Sequence, residues 1–253
     1  MFRYSKYRDL FFNLLTSDLK LRYKGSFLGF LWTMIEPALI ILILLFVFSN
    51  VFEFDTKLYA PYLVTGFIVW FFFANGTSIM DIFSVKANLI NKTNFPIEII
   101  VFSSFTSILI LSTIEIFILE IVFIFFNIIP SASLILLPLL IALQSLFILG
   151  FLFVLSSIYV FIQDFRHIWN ILLQVGFFAT PIVYPISLLQ EKAPLLLQIN
   201  PMAHFISAYR ALMVYTTYPT IKEVGILFLI AAMSFIIGYT IFKKLKTRIK
   251  EEV

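Results

Sequence analysis

Apolar residues in this chain come in long runs separated by short polar breaks, and a membrane-crossing helix needs about 20 mainly apolar residues. Six runs qualify: Phe27–Asn50, Tyr59–Met80, Ile97–Phe126, Leu134–Ile162, Ile168–Tyr184 and Val224–Phe242. The third and fourth exceed what a bilayer requires, so they are expected to tilt or project. Between Pro185 and Glu223 the pattern changes. Pro185, Pro194, Pro201 and Pro219 divide this stretch, and its apolar runs, Ile186–Ile199 and Met202–Tyr215, are short for crossing. Such segments read as re-entrant or interfacial helices. Ahead of the first run, Tyr7, Leu10, Phe11, Leu14 and Leu15 follow the spacing of one helical stripe. Arg3, Lys6, Arg8 and Lys20 flank it. This predicts an amphipathic helix in the headgroup plane, as an anchor to anionic lipid or as a docking helix for a cytoplasmic partner. The expected fold class is therefore all-α and polytopic, a single membrane domain with six transmembrane helices. It divides into an interface helix over 1–26, five spans over 27–184, a re-entrant outer segment over 185–223, and a sixth span with its tail over 224–253.

Lys and Arg placement sets the orientation. With both termini inside, the cytoplasmic side holds Arg3, Lys6, Arg8, Lys20, Arg22, Lys24, Lys86, Lys92, Arg166, Lys243, Lys244, Lys246, Arg248 and Lys250, 14 of the 18 basic residues. Lys57, Lys192, Arg210 and Lys222 remain outside. Five or seven spans would put a basic cluster on the outer side. Composition agrees: 61% of residues are hydrophobic and 13% charged, and the mean hydropathy is +1.03. That is too little charged surface for a soluble globule. The net charge of +4 does not point to nucleic acid, because the basic residues border apolar spans.

Several chemistries are not expected. With no cysteine, disulfides, zinc–thiolate clusters and thiol catalysis are excluded. The opening MFRYSKYRDLFF lacks a secretory core with a cleavage site. None of the eight glycines is followed by Lys, so no phosphate-cradling loop is expected. His167 and His204 fall on different membrane faces, so a two-His metal site is not expected. Carboxylates inside spans are functional suspects. Glu36 sits in the first run beside Pro37, which frees a backbone carbonyl; a wet path or a locally satisfied kink both fit. Glu115 and Glu120 lie in the third run, roughly 140° apart on a helix, and form no paired site. Trp32, Trp70 and Trp169 stand near span ends and fit an interfacial belt. Aromatic faces also stack on sugar rings, so a sugar-lined channel remains an alternative.

Three blocks carry a family resemblance. LKLRYKGSFLGFLW over 19–32, followed by Glu36-Pro37, resembles the approach to the first span of polysaccharide-exporting ABC transporter permeases, the Wzm/TagG-like branch of the ABC-2 type. KTNFP over 92–96, followed by Ile97-Glu98, resembles the end of their first cytoplasmic loop. TPIVYP over 180–185, then Asn200-Pro201 and Tyr209-Arg210, resembles their outer loop. The likeness runs over nearly the whole chain in matching order. One departure is Gln163-Asp164 where the family usually has Arg-Asp; Arg166 is the nearest cation.

The resemblance implies a homodimer in the bacterial inner membrane, joined by two copies of a separate ABC ATPase that binds ATP and Mg. The permease chain itself is not an enzyme and has no cofactor. It implies a pore between the copies for a lipid-linked polysaccharide, an O-antigen, capsule or teichoic acid precursor. The expected path residues are Trp32, Glu36, Trp169, Phe177, Phe178 and Tyr184, with Tyr209 and Arg210 at the outer gate; Arg210 snorkelling to the interface is the alternative. The loop over 84–95 is the expected coupling helix, through Lys86, Asn88, Asn91, Lys92, Asn94 and Phe95. Other readings stay open at this point: a drug or lipid exporter, a proton-coupled carrier using Glu115 or Glu120, or a membrane glycosyltransferase.

Overall fold

The computed structural model describes residues 2–22, 24, 29–32, 35, 38, 39, 42, 43, 46, 47, 56–92 and 95–253. The expected first span falls largely outside the described residues, and Glu36, Pro37 and Asn94 fall wholly outside them. Among the described residues the chain is helical, with no strand. We number the helices α1 (Phe2–Arg22), α2 (Thr56–Ser78), α3 (Ile82–Val85), α4 (Ala87–Lys92), α5 (Glu98–Phe125), α6 (Leu137–Phe161), α7 (Phe165–Ala179), α8 (Ile186–Lys192), α9 (Pro194–Ile199), α10 (Pro201–Met213) and α11 (Ile221–Glu252). A 3-10 turn, Ala132–Leu136, leads into α6.

Among the described residues, four stretches are long and apolar enough to cross a membrane: Tyr59–Ser78, Glu98–Phe125, Ala132–Phe161 and Ile221–Glu252. They correspond to the second, third, fourth and sixth expected runs. The fifth run forms a shorter helix. α7 stops at Ala179, because Pro181 pushes Thr180 into the extended region (φ −104°, ψ 139°). Its 15 residues rise about 22 Å, less than the ~30 Å hydrocarbon core. Nevertheless α7 and the segment after it accompany α2 along its length, antiparallel to it. Trp169 Nε1 donates to Thr77 at 3.1 Å, and the Phe177 and Phe67 ring centroids stand 5.1 Å apart. Tyr62 and Tyr59 hydroxyls donate to the carbonyls of Tyr184 and Val183.

The helix ends are specified locally. α5 closes with Asn127 at φ 61°. The Ile128 N–H returns to the Phe123 carbonyl and the Asn127 N–H to that of Ile124, a Schellman ending that an Asn tolerates. Asn200 caps α10 by accepting from the Met202 and Ala203 N–H groups, with Pro201 at the first helical position. Thr220 and Glu223 form a capping box at the start of α11.

α11 packs along α6. A Cβ built on Gly238 would run into the Gly150 carbonyl, and one on Gly150 would run into Ser234. Small residues here let two backbones touch, which is how helices gain van der Waals contact in lipid, where burial alone gives no advantage. The apolar α1 stripe turns inward: Leu15 is buried and Tyr7, Leu10 and Leu14 pack on the core, with α5 as the neighbouring helix. Trp70 is not part of an interfacial belt. It is buried near the middle of α2 against Phe73 and Phe177, because it stands eleven residues into the run that starts at Tyr59, about 16 Å from that end.

Candidate functional site

The bundle has two chemically distinct ends. At one, Lys86 Nζ lies 2.7 Å from Asp18 Oδ2, Arg166 Nη2 2.5 Å from Asp81 Oδ2, and Lys246 Nζ 2.6 Å from Glu98 Oε1. The Asn91 side chain donates to the Val253 carbonyl. The N-terminal helix, the α2–α5 connection, the α6–α7 junction and the C-terminal residues therefore share this basic end. At the other end Ser131 and Ser133 donate to the carbonyls of Thr216 and Leu212, and the segment after α7 meets α10.

That meeting is organised by Arg210, which is 2% exposed. Its Nε donates to the Tyr62 carbonyl at 3.0 Å, Nη1 to that of Pro181 at 2.6 Å and Nη2 to that of Ile182 at 2.9 Å. The guanidinium also stacks on the Tyr62 ring, 3.3 Å from its centroid. Gly66 leaves room for it, since a Cβ there would meet Nη2 at 2.6 Å. A buried cation needs this many acceptors. Arg210 thus does not snorkel; it pins α10 to α2 and to the bend after α7. Tyr209 beside it is fully buried. Both expected gate residues lie inside the fold of this chain, behind the segment that ends at Tyr184, whose hydroxyl donates to the Phe178 carbonyl at 2.8 Å.

The expected path residues divide. Trp32 and Phe178 are exposed, at 47% and 72%. Phe177 is partly buried between Phe67 and Trp70. Trp169 is the buried residue of α7 and lines an aromatic cavity of about 360 Å³ with Trp70, Phe73, Phe147 and Phe151. On the open side of α7 a polar strip stands out. His167, Asn170, Gln174 and Phe178 are all exposed and recur at helical spacing, so they stack on one face over roughly 16 Å. Ile168, Ile171 and Val175 form an exposed apolar strip beside it. Asn and Gln in an apolar run face water, a partner helix or a substrate. Asn170 and Gln174 were legible in the sequence as polar residues four apart inside the fifth run.

The expected coupling loop is two short helices that meet at Lys86. Asn88, Asn91 and Lys92 are exposed, whereas Phe95 is buried. Lys86 faces inward, where its Nζ and the Ser104 hydroxyl, 2.8 Å apart, both donate to Asp18. Val85, 70% exposed, joins Asn88 and Lys92 on the outer side, and sequence reasoning passed it over. Asp18 had a signal too, an acid on an apolar stripe. Arg166 supplies a cation where Gln163-Asp164 departs from the family pattern: it pairs with Asp81 and lies 5.0 Å over the Tyr159 ring. The hydrogen bond to Asp81 raises its pKa above the ordinary guanidinium value. A raised cation pKa contributes stability at every pH below the ordinary value, so Arg166 stays charged through the physiological range.

Glu115 and Glu120 are in α5, with Glu120 buried and one of its oxygens unpartnered. Neither forms an ion pair among the described residues, and no cluster of three or more metal-ligating side chains occurs among them. His204 shares a hydrogen bond with the Gln198 carbonyl, and His167 lies on α7, so the two do not meet.

Comparison with known proteins matches residues 9–214 to the ABC-2 type transporter family. The chain is 31% identical over 248 residues to an O-antigen export system permease protein RfbA of Klebsiella pneumoniae. It is 30% identical over 248 residues to a second RfbA from that organism. Each alignment covers 96% of this chain and 94% of the relative. The RfbA of Myxococcus xanthus is 27% identical over 253 residues, with 98% and 96% covered. The matched family region runs from within α1 to the end of α10, taking in the basic end, α7 and the Arg210 clamp: the chain belongs to the ABC-2 type transporter family.

Proposed function

We propose that this chain is the membrane subunit of an ATP-driven exporter that moves a lipid-linked, O-antigen-like polysaccharide out of the cytoplasm. The observation that carries this reading is end-to-end similarity to O-antigen export permeases, over 94–96% of their own lengths. The working unit is a homodimer in the bacterial inner membrane with two copies of a separate ATPase. ATP and Mg bind to that ATPase. Each copy has six spans and both termini inside. The clustering of the basic loops at one end of the bundle supports this orientation. The course of α7 along α2 supports a fifth crossing. The segment over 185–223 enters the outer leaflet and returns. Packing of the Phe205 ring on Phe147, 5.4 Å between centroids and some ten residues into α6, supports that depth, as does the Ser133–Leu212 contact at the rim.

In this reading the two strips of α7 face the second copy. The apolar strip seals the interface and the polar strip lines the pore. Glycan hydroxyls exchange hydrogen bonds with Asn170, Gln174 and Glu36, while sugar rings slide past Trp32, Phe177 and Phe178. Repeated weak contacts permit passage, as conduction requires. Tyr184 and the segment held by Arg210 form the outer mouth. On the inner side, Val85, Asn88, Asn91, Lys92 and Asn94 seat in the ATPase, and closure of the ATPases moves the permeases as rigid bodies. Lys86 and Phe95 transmit that movement from inside the fold.

The test is purification of a tagged copy from native membranes in mild detergent, with ATPase assay, beside surface-glycan analysis of a deletion strain. A stoichiometric ATPase and loss of surface polysaccharide are expected. A drug or lipid phenotype with unchanged glycan would reassign the cargo. A lone chain without ATPase in several detergents would sink the exporter reading.

A further inference from the structure

Three ion pairs hold the coupling segment, and they differ in where they lead. Lys86–Asp18 ties its middle to α1, and Glu98–Lys246 ties the start of α5 to the C-terminal part of α11. Arg166–Asp81 alone among the three reaches α7. Asp81 immediately precedes α3, and Arg166 lies in the first turn of α7. The Tyr159 ring under the guanidinium belongs to the last turn of α6. One side chain therefore joins the coupling segment, the end of α6 and the start of the helix that carries the polar strip.

Two further features suit this link to motion. It is the most accessible of the three pairs, with 38% and 28% of the two side chains accessible, so water reaches it more readily than the other two and it is the least costly of them to open. α7 has Trp169 as its buried residue, and Phe165 in its first turn is only partly buried on the core, so a shift of that turn disturbs less packing than a shift of α2 or α6 would.

We propose that the Arg166–Asp81 ion pair is the joint through which displacement of the coupling segment moves α7. Arg166 and Asp81 are positioning residues: they act through α7, whose angle they set. The inference rests on the exporter reading.

The test uses the permease with its native ATPase in membranes and compares Asp81→Asn, Arg166→Gln and the charge swap Asp81→Arg with Arg166→Asp. Three quantities are read: ATPase co-purification, ATP hydrolysis, and glycan exported per permease molecule. Each single variant is expected to lower export about tenfold or more, with co-purification and hydrolysis within about twofold of the unsubstituted protein. The swap is expected to restore export to within about threefold, because the coupling belongs to the pair. Normal export by the single variants overturns the proposal. So does a swap no better than the singles, parallel loss of ATPase association, or failure of the variants to accumulate, since each marks a pair that only holds the fold. Failure of the exporter reading shows separately, as absence of ATPase or of export in the unsubstituted protein.

Discussion

At the residue scale, the chain's strongest single statement is Arg210. Three backbone carbonyls and a tyrosine face converge on one buried guanidinium. Removing it leaves those carbonyls buried without their donor, at a cost of roughly 3 kcal/mol or more. Arg210→Gln should therefore lower the thermal unfolding temperature of the purified protein sharply. Arg210→Lys should recover little, because a point charge cannot span three acceptors set apart in a fork. Unchanged melting in either variant would show that the clamp carries no stability. The resemblance singled out Tyr209-Arg210 as an outer gate. It gave no way to see that the arginine points inward, because its acceptors come from positions 62, 181 and 182.

At the element scale, the α6–α11 contact and α7 make separate predictions. The α6–α11 contact depends on the absence of side chains at Gly150 and Gly238. Gly238→Val should separate the helices and cost about 3 kcal/mol, at the upper end of overpacking effects; it is read as reduced membrane abundance and earlier heat aggregation. Gly225→Ala is the control, since nothing lies within 4 Å of a Cβ there, and its abundance should be normal. For α7 the polar strip carries the prediction. Asn170→Leu with Gln174→Leu should cut glycan export about tenfold or more, as loss of interactions made during passage, with ATP hydrolysis retained. Full export would remove the strip from the path. The apolar runs found these helices, yet the fifth run overran the end of α7. A hydropathy window does not register that Pro181 takes Thr180 out of the helix.

At the scale of the whole molecule, the proposed exporter would use the outer side of the coupling segment for its ATPase and the open side of α7 for its second copy. Val85→Asp with Lys92→Glu should abolish ATPase co-purification at normal permease abundance, because an exposed apolar contact is lost and a charge is inverted. Retained ATPase would move the docking surface elsewhere. The chain has no cysteine, so a single Val175→Cys reports on the second copy directly. An oxidised dimer in native membranes is expected if the α7 strips face each other; a monomer under conditions that oxidise other engineered pairs would reject that interface.

The sequence by itself determined the solvent of this protein, its helical class, the four long apolar stretches among the described residues, and the basic residues that border them. These follow from local quantities: run length against bilayer thickness, and charge beside each run. Its blocks over 19–32, 92–96 and 180–185 also pointed to the right family. Only the tertiary structure decided which polar residues meet. Lys86 turns to Asp18 across 68 positions, Arg166 to Asp81 across 85, Lys246 to Glu98 across 148, and Arg210 to Tyr62 across 148. A charge inside an apolar protein must find its counter-charge or carbonyl, and the packing of the helices, not the spacing along the chain, determines where that partner stands.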